Sequence, residues 1–265
     1  MVVAGIFSVS AQVLQRQKPD QPKPTAKPAP TPDPKIAAAK PTTAEQVIET
    51  GLFVYGLGGG RTLLNQIRKT TFERGKSTFT AADGKIDQAT YQRYVIRADK
   101  LDKEKIRLDQ DFTNARYALV YSDEKIFGVF NSSVFTPRED ASRAFENQIV
   151  HGLDALLRYK ENESKVELAA REKVMGVDYF VIDVTDKKDR KTRYYVSAKT
   201  FRVMMLTYEE IGVKYRRKFY NYNYAQGTLV PYRTVLWAND KIIEETNIGT
   251  VTFGQKVDEE IFKAG

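Results

Sequence analysis

The sequence predicts a mainly β protein with helices (α+β): a strongly curved antiparallel sheet or half-barrel of about 11 strands, with one long inserted helix on its concave side. Three observations point there. Ile106, Leu108 and Phe112 alternate with Arg107, Asp109 and Asp111, the signature of an antiparallel strand with one wet face. Strand-like runs then recur from residue 164 to residue 253, separated by turn residues. Between these two sets lies a stretch of helical period, residues 136–160.

Composition bounds the chemistry. Of 265 residues, 42% are hydrophobic and 29% charged, an ordinary balance for a chain that buries a core. There is no Cys and a single His. That removes structural zinc, iron–sulfur clusters, thiol catalysis, disulfides and a lipid-modified cysteine, and leaves little for a multi-His site. No metal and no cofactor are expected. The net charge of +8 suggests nucleic acid until it is located: residues 1–42 hold six basic and two acidic groups, half of the excess. In the remainder, Lys and Arg interleave with Asp and Glu, so nucleic acid is not an expected partner.

Residues 2–11 form a short uncharged apolar run ending in the small-residue pattern Val9-Ser10-Ala11, which resembles the tail of an export signal. Eight of the ten prolines follow within residues 12–42, the composition of a solvated polyproline-II spacer. The expected division is therefore a signal remnant (1–11), a proline-rich tether (12–42) and a folded domain (43–265). Too short to span a bilayer, the leader implies an exported, periplasmic protein with no transmembrane helix in its mature chain.

The folded domain opens with Thr42-Thr43-Ala44-Glu45, a capping-box pattern in which Thr42 caps and Glu45 reaches back. Val47, Ile48, Leu52 and Tyr55 then fall on one helical face, and residues 56–60 (GLGGG) stop the helix. That glycine run follows a helix, lacks GK[ST] and has Arg61 where GxGxxG needs glycine, so it is a turn and no phosphate loop. A short helix over 62–67 precedes strands at 71–80, around Tyr94 and Ile96 (set against Arg93, Val95 and Arg97), at 106–112, 114–121 and 125–130.

Thr136-Pro137-Arg138-Glu139 is a second capping box with Pro at the first helical position, predicting a helix to about residue 160. Ala141, Phe145, Ile149, Gly152, Leu156 and Tyr159 share one stripe with Leu153 beside it, while Val150 and Leu157 fall outside. A helix apolar beyond one stripe is covered from two sides. It is expected to plug the concave sheet.

Catalytic patterns are absent. His151 lies on the flank of the long helix, an expected surface or interface residue, and no Ser sits in GxSxG. Asp183, Asp186, Asp189, Glu244 and Glu245 fall at turns or beside Lys and Arg, as solvated hairpin ends do. What stands out is an aromatic and basic strand carrying Lys214, Arg216, Lys218, Tyr220, Tyr222 and Tyr224, an alternative surface for binding a protein or polymer.

The C-terminal half carries ordered phrases: residues 176–184 (GVDYFVIDV), 193–196 (RYYV), 201–203 (FRV) and 229–233 (LVPYR). Their order resembles that of the LolA/LolB-like outer-membrane lipoprotein carrier superfamily, over residues 43–262. The resemblance implies an open β-barrel with a helical lid, an apolar cavity for acyl chains, no catalysis and no cofactor. It also implies an arginine near the N-terminal strands, for which Arg74 and Arg93 are the candidates. Placed on that architecture, the expected ligand-lining residues are Phe145, Ile149, Leu153, Leu156, Phe180, Ile182 and Val184. Expected partners are a lipid or lipoprotein; the alternative is a sensor or interaction module, on the same fold without a cavity, that binds an envelope protein.

Overall fold

The computed structural model describes residues 41–263. The expected signal remnant and nearly all of the proline tether lie outside them. Two helices lead, α1 (Ala44–Tyr55) and α2 (Gly60–Ile67), followed by β1 (Thr70–Thr80), β2 (Ile86–Ile96), β3 (Lys105–Phe112), β4 (Arg116–Ser122), β5 (Lys125–Phe130) and β6 (Ser133–Phe135). Two more helices, α3 (Glu139–Val150) and α4 (Leu153–Leu157), precede β7 (Lys165–Leu168), β8 (Glu172–Val174), β9 (Val177–Thr185), β10 (Lys191–Ser197), β11 (Val203–Glu210), β12 (Val213–Ala225), β13 (Thr228–Ala238) and β14 (Lys241–Phe253).

All pairings are antiparallel, in the order β6-β5-β4-β3-β2-β1-β14-β13-β12-β11-β10-β9-β7, with β8 also on β9. The sheet is thus two meanders joined where β1 meets β14. Its 14 strands exceed the expected number because the run at 164–172 divides into β7 and β8 and the short β6 adds an edge. Register shifts at Arg74/Gly75, Tyr195/Val196 and Leu236/Trp237 insert the local bends that a curled sheet requires. Gly75 is essential to one of them: a Cβ there would stand 2.3 Å from the Asn247 carbonyl oxygen.

The first helix forms where expected, one residue later in its cap. The Thr43 side chain accepts from the Gln46 amide at 3.3 Å, and the Gln46 side chain accepts from the Thr43 amide, so Thr43 and Gln46 make the box in place of Thr42 and Glu45. The predicted long helix is broken. It opens at Glu139 without a side-chain cap from Arg138, with Thr136 and Pro137 ahead of it, and stops at Val150. Gly152 is extended and caps α4; a Cβ on it would meet the Gln148 carbonyl at 2.6 Å. The break turns α4 so that Ala155, Leu156 and Leu157 are all buried.

Apolar packing divides in two. Val47, Ile48, Leu52 and Tyr55 of α1 join Leu156 and Leu157 of α4 on the concave face of β9 to β13, with Phe180, Ile182, Tyr194, Leu206 and Phe219. Phe145 and Ile149 of α3 pack on Tyr91, Val95, Ile106, Leu108, Leu119 and Tyr121 of β2 to β4. A small third group, Val230, Val251 and Phe253, lies between. Burying these residues is the main force that holds helices to sheet, at about 25 cal/mol per Å² of apolar surface.

Candidate functional site

Between the two large clusters, α3 and α4 do not close fully on the sheet. A cavity of about 180 Å³ remains beneath them, with Ile149 and Leu153 on the helical side and Leu108, Phe219, Val251 and Phe253 on the strands. Its position follows from pleating: Tyr91, Arg93 and Val95 share one side of β2, with Arg97 just past its end, and Thr71, Glu73 and Ser77 share the corresponding side of β1. This corrects the reading of β2 from sequence. Tyr94, expected on the apolar face, stands on the outer one, its ring 4.8 Å from Phe72, and the inward face carries arginine.

Ionic side chains close one end of the cavity. Asp154 of α4 accepts from Arg68 at 3.2 Å and pairs with Arg97. Arg97 also donates to Glu104 at 3.1 Å, and Glu104, fully buried, pairs with Arg158. Arg68 is fixed further by the Thr228 hydroxyl and the Leu229 carbonyl, both at 2.8 Å. On the far side of this partition an outer depression of about 360 Å³ shares Arg68, Arg97, Asp154 and Arg158 with the cavity.

The electrostatics follow from burial. Removal from water would raise the Asp154 carboxyl, but Arg97 and Arg68 outweigh it and hold the group at about 2. Burial and then repulsion by Arg97 bring Arg158 down to about 10, still charged at neutral pH. Glu73, which accepts from the Tyr91 hydroxyl at 2.6 Å, is pushed upward by burial. No cluster of three or more His, Asp and Glu side chains suited to a metal occurs among the described residues.

Of the residues expected to line a ligand site, Ile149 and Leu153 border this cavity. Phe145 is packed into the α3 cluster, and Leu156, Phe180, Ile182 and Val184 into the α1–α4 cluster, away from the cavity wall. Of the two arginine candidates, Arg93 lines the cavity and Arg74 lies over the Phe72 ring on the other face. Arg68, Arg97, Glu104, Asp154 and Arg158 were not legible as site residues. The available signal was the parity of Arg93 and Arg97 with Tyr91 and Val95.

The aromatic and basic strand is split. Arg216 and Lys218 of β12 lie over the Trp237 ring at 5.1 and 5.6 Å, and Arg233 over Tyr220, on the face opposite Arg217 and Phe219. Asn221 has φ of 53°, and beyond it Tyr222 and Tyr224 turn to α1, bonding Tyr55 and the Val54 carbonyl. Lys214 and Arg216 border a broad groove. The sequence offers His151 as a surface or interface residue; the structure buries it as the α3 cap, stacked 4.0 Å from Tyr208 with Nδ1 2.6 Å from the Thr192 hydroxyl.

Among the described residues no helix is long and apolar enough to cross a membrane. No protein-family model matches the chain, and no curated protein matches it in sequence. Solved structures do match. A LolA superfamily protein from Nitrosomonas europaea is 12% identical with a TM-score of 0.61, over 84% of this chain and 98% of its own. A putative outer membrane lipoprotein-sorting protein domain from Vibrio parahaemolyticus is 15% identical with a TM-score of 0.51, over 81% and 97%. A DUF1329 family protein from Desulfovibrio piger is 14% identical with a TM-score of 0.51, over 82% and 97%. An open, curled antiparallel sheet capped by helices, shared over nearly the whole length of these proteins, gives this chain the fold seen in the LolA superfamily protein, as a distant likeness.

Proposed function

We propose that this chain is an exported, non-enzymatic envelope protein that holds an acyl chain of a lipid or lipoprotein between its curved sheet and α3–α4. The observation that carries the reading is the cavity beneath those helices, bounded by apolar side chains of both clusters where a solid core would have none. Likeness to a protein described as lipoprotein-sorting supports the same ligand class. Native mass spectrometry of the full chain from an envelope fraction, with displacement of an environment-sensitive acyl probe, tests it. Bound lipid, or saturable probe binding, is expected; neither in the folded protein would end the reading.

A second reading rests on the outer face, where Arg216 and Lys218 clasp Trp237 and Arg233 covers Tyr220. An interaction or sensor module would bind an envelope protein there. Its mark is a pulled-down partner lost on Lys218→Glu or Trp237→Ala while acyl-probe binding is retained.

A further inference from the structure

The cavity is far from uniformly apolar. Five arginines line it, Arg68, Arg93, Arg97, Arg158 and Arg217, against four carboxylates, Glu73, Glu104, Asp154 and Glu244. The imbalance is concentrated at the partition, where Arg68, Arg97 and Arg158 share two carboxylates and Arg93 forms no direct ion pair among the described residues. The Nε atoms of Arg93, Arg97 and Arg158 are buried without any hydrogen-bond partner. Orphaned Nε donors at three residues that border the cavity are costly, because each has lost water without gaining an acceptor.

We infer that the cavity takes a single-chain anionic amphiphile, its carboxylate or phosphate head held by Arg93, Arg97 and Arg158 and its tail between Leu108, Ile149, Phe219 and Val251. The inference rests on the acyl-binding reading above and narrows it. Size argues for one chain: about 180 Å³ lies below the usual range for drug-sized pockets, roughly 300–1,000 Å³. Position argues for the head at the partition, since Arg97 and Arg158 border both the cavity and the outer depression. Charge-assisted bonds from planar guanidinium forks suit a carboxylate or a phosphate equally.

The test uses the full chain at low and moderate salt, titrated by calorimetry with decanoate, decyl phosphate, decanol and inorganic phosphate. Decanoate and decyl phosphate should bind about tenfold or more tighter than decanol, as expected of charge-assisted hydrogen bonds. Arg93→Gln should bring decanoate and decyl phosphate down to about the affinity of decanol, in a protein whose cooperative unfolding shows that it still folds. Arg97→Gln and Arg158→Gln strand Glu104 and can fail to fold, so Arg93, outside those pairs, is the deciding position. Equal binding of decanol and decanoate overturns the anionic head while acyl binding stands. Inorganic phosphate binding as tightly as decyl phosphate overturns the tail. If neither decanol nor decanoate binds, the acyl-binding reading itself fails.

Discussion

The Tyr55 hydroxyl of α1 lies 3.1 Å from the Tyr222 hydroxyl of β12, and the two phenols close a ring of hydrogen bonds on one residue of β11. Tyr222 donates to the Val203 carbonyl, so its own oxygen takes the Tyr55 proton, while the Val203 amide donates to Tyr55 at 3.1 Å. Every donor is used once. Tyr55→Phe leaves the buried Val203 amide without an acceptor, and Tyr222→Phe strands the Val203 carbonyl and the Tyr55 proton. Each should cost about 1–3 kcal/mol in urea unfolding, with the double variant costing less than the sum. Strict additivity would show that the ring is not a unit.

Glu104 is the anion on which the partition depends. With its side chain fully buried between Arg97 and Arg158, Glu104→Gln leaves two guanidinium groups short of a counter-charge and should destabilise the domain by about 3–5 kcal/mol. The urea midpoint measures this. A loss within experimental error of zero would mean that solvent or Asp154 compensates both arginines.

His151 makes stability depend on pH. Burial, then repulsion by Arg190, lowers its imidazole from 6.5 to about 4, so the native state keeps it neutral where the unfolded chain binds a proton. Its contribution is complete above pH 6.5 and is lost as pH falls toward 4, up to about 3 kcal/mol at 1.36 kcal/mol per unit. Unfolding midpoints between pH 7 and pH 4.5 should fall steeply in the native sequence and less so in His151→Phe, which keeps the stack on Tyr208. Parallel pH profiles for the two proteins would assign the fall to other groups.

Asn221 decides which way two tyrosines face. Its positive φ lets β12 carry Phe219 and Tyr222, of opposite parity, on the same concave side. Asn221→Gly should be nearly neutral, while Asn221→Val should cost about 1–2 kcal/mol for the left-handed backbone and loosen the bond from Tyr224 to α1. Thermal melts with tyrosine fluorescence distinguish them; equal behaviour would count against this origin of the twist.

How much of this was legible depended on whether the signal was local. The stripe of Val47, Ile48, Leu52 and Tyr55 and the hairpin turns are patterns within a dozen residues, and α1 and most strands formed where expected. The break at Gly152 was hidden because the stripe continues through it. That the position demands glycine, since a Cβ there would stand 2.6 Å from the Gln148 carbonyl oxygen, appears only once the next turn changes direction. The cavity wall was hidden differently: Arg97, Glu104 and Arg158 are dispersed charges, and a charge next to apolar residues is more often solvated than paired inside. Only the meeting of β2 with α4 removes them from water.

The seam at β1 and β14 has a consequence for how the protein is made. Thr71 pairs with Phe253, so the middle of the sheet is completed by its most distant strands in sequence, while nearly every other ladder links neighbours. The meanders β1–β6 and β7–β14 can each zip locally, but loop closure delays the seam between them. Until then β1 and β14 both present bare edges rich in Thr, Ile and Phe, and strand exchange with a second molecule competes with closure. Slow collapse, high yield only at low concentration and domain-swapped dimers on rapid refolding are the expected behaviour of a sheet whose centre forms last.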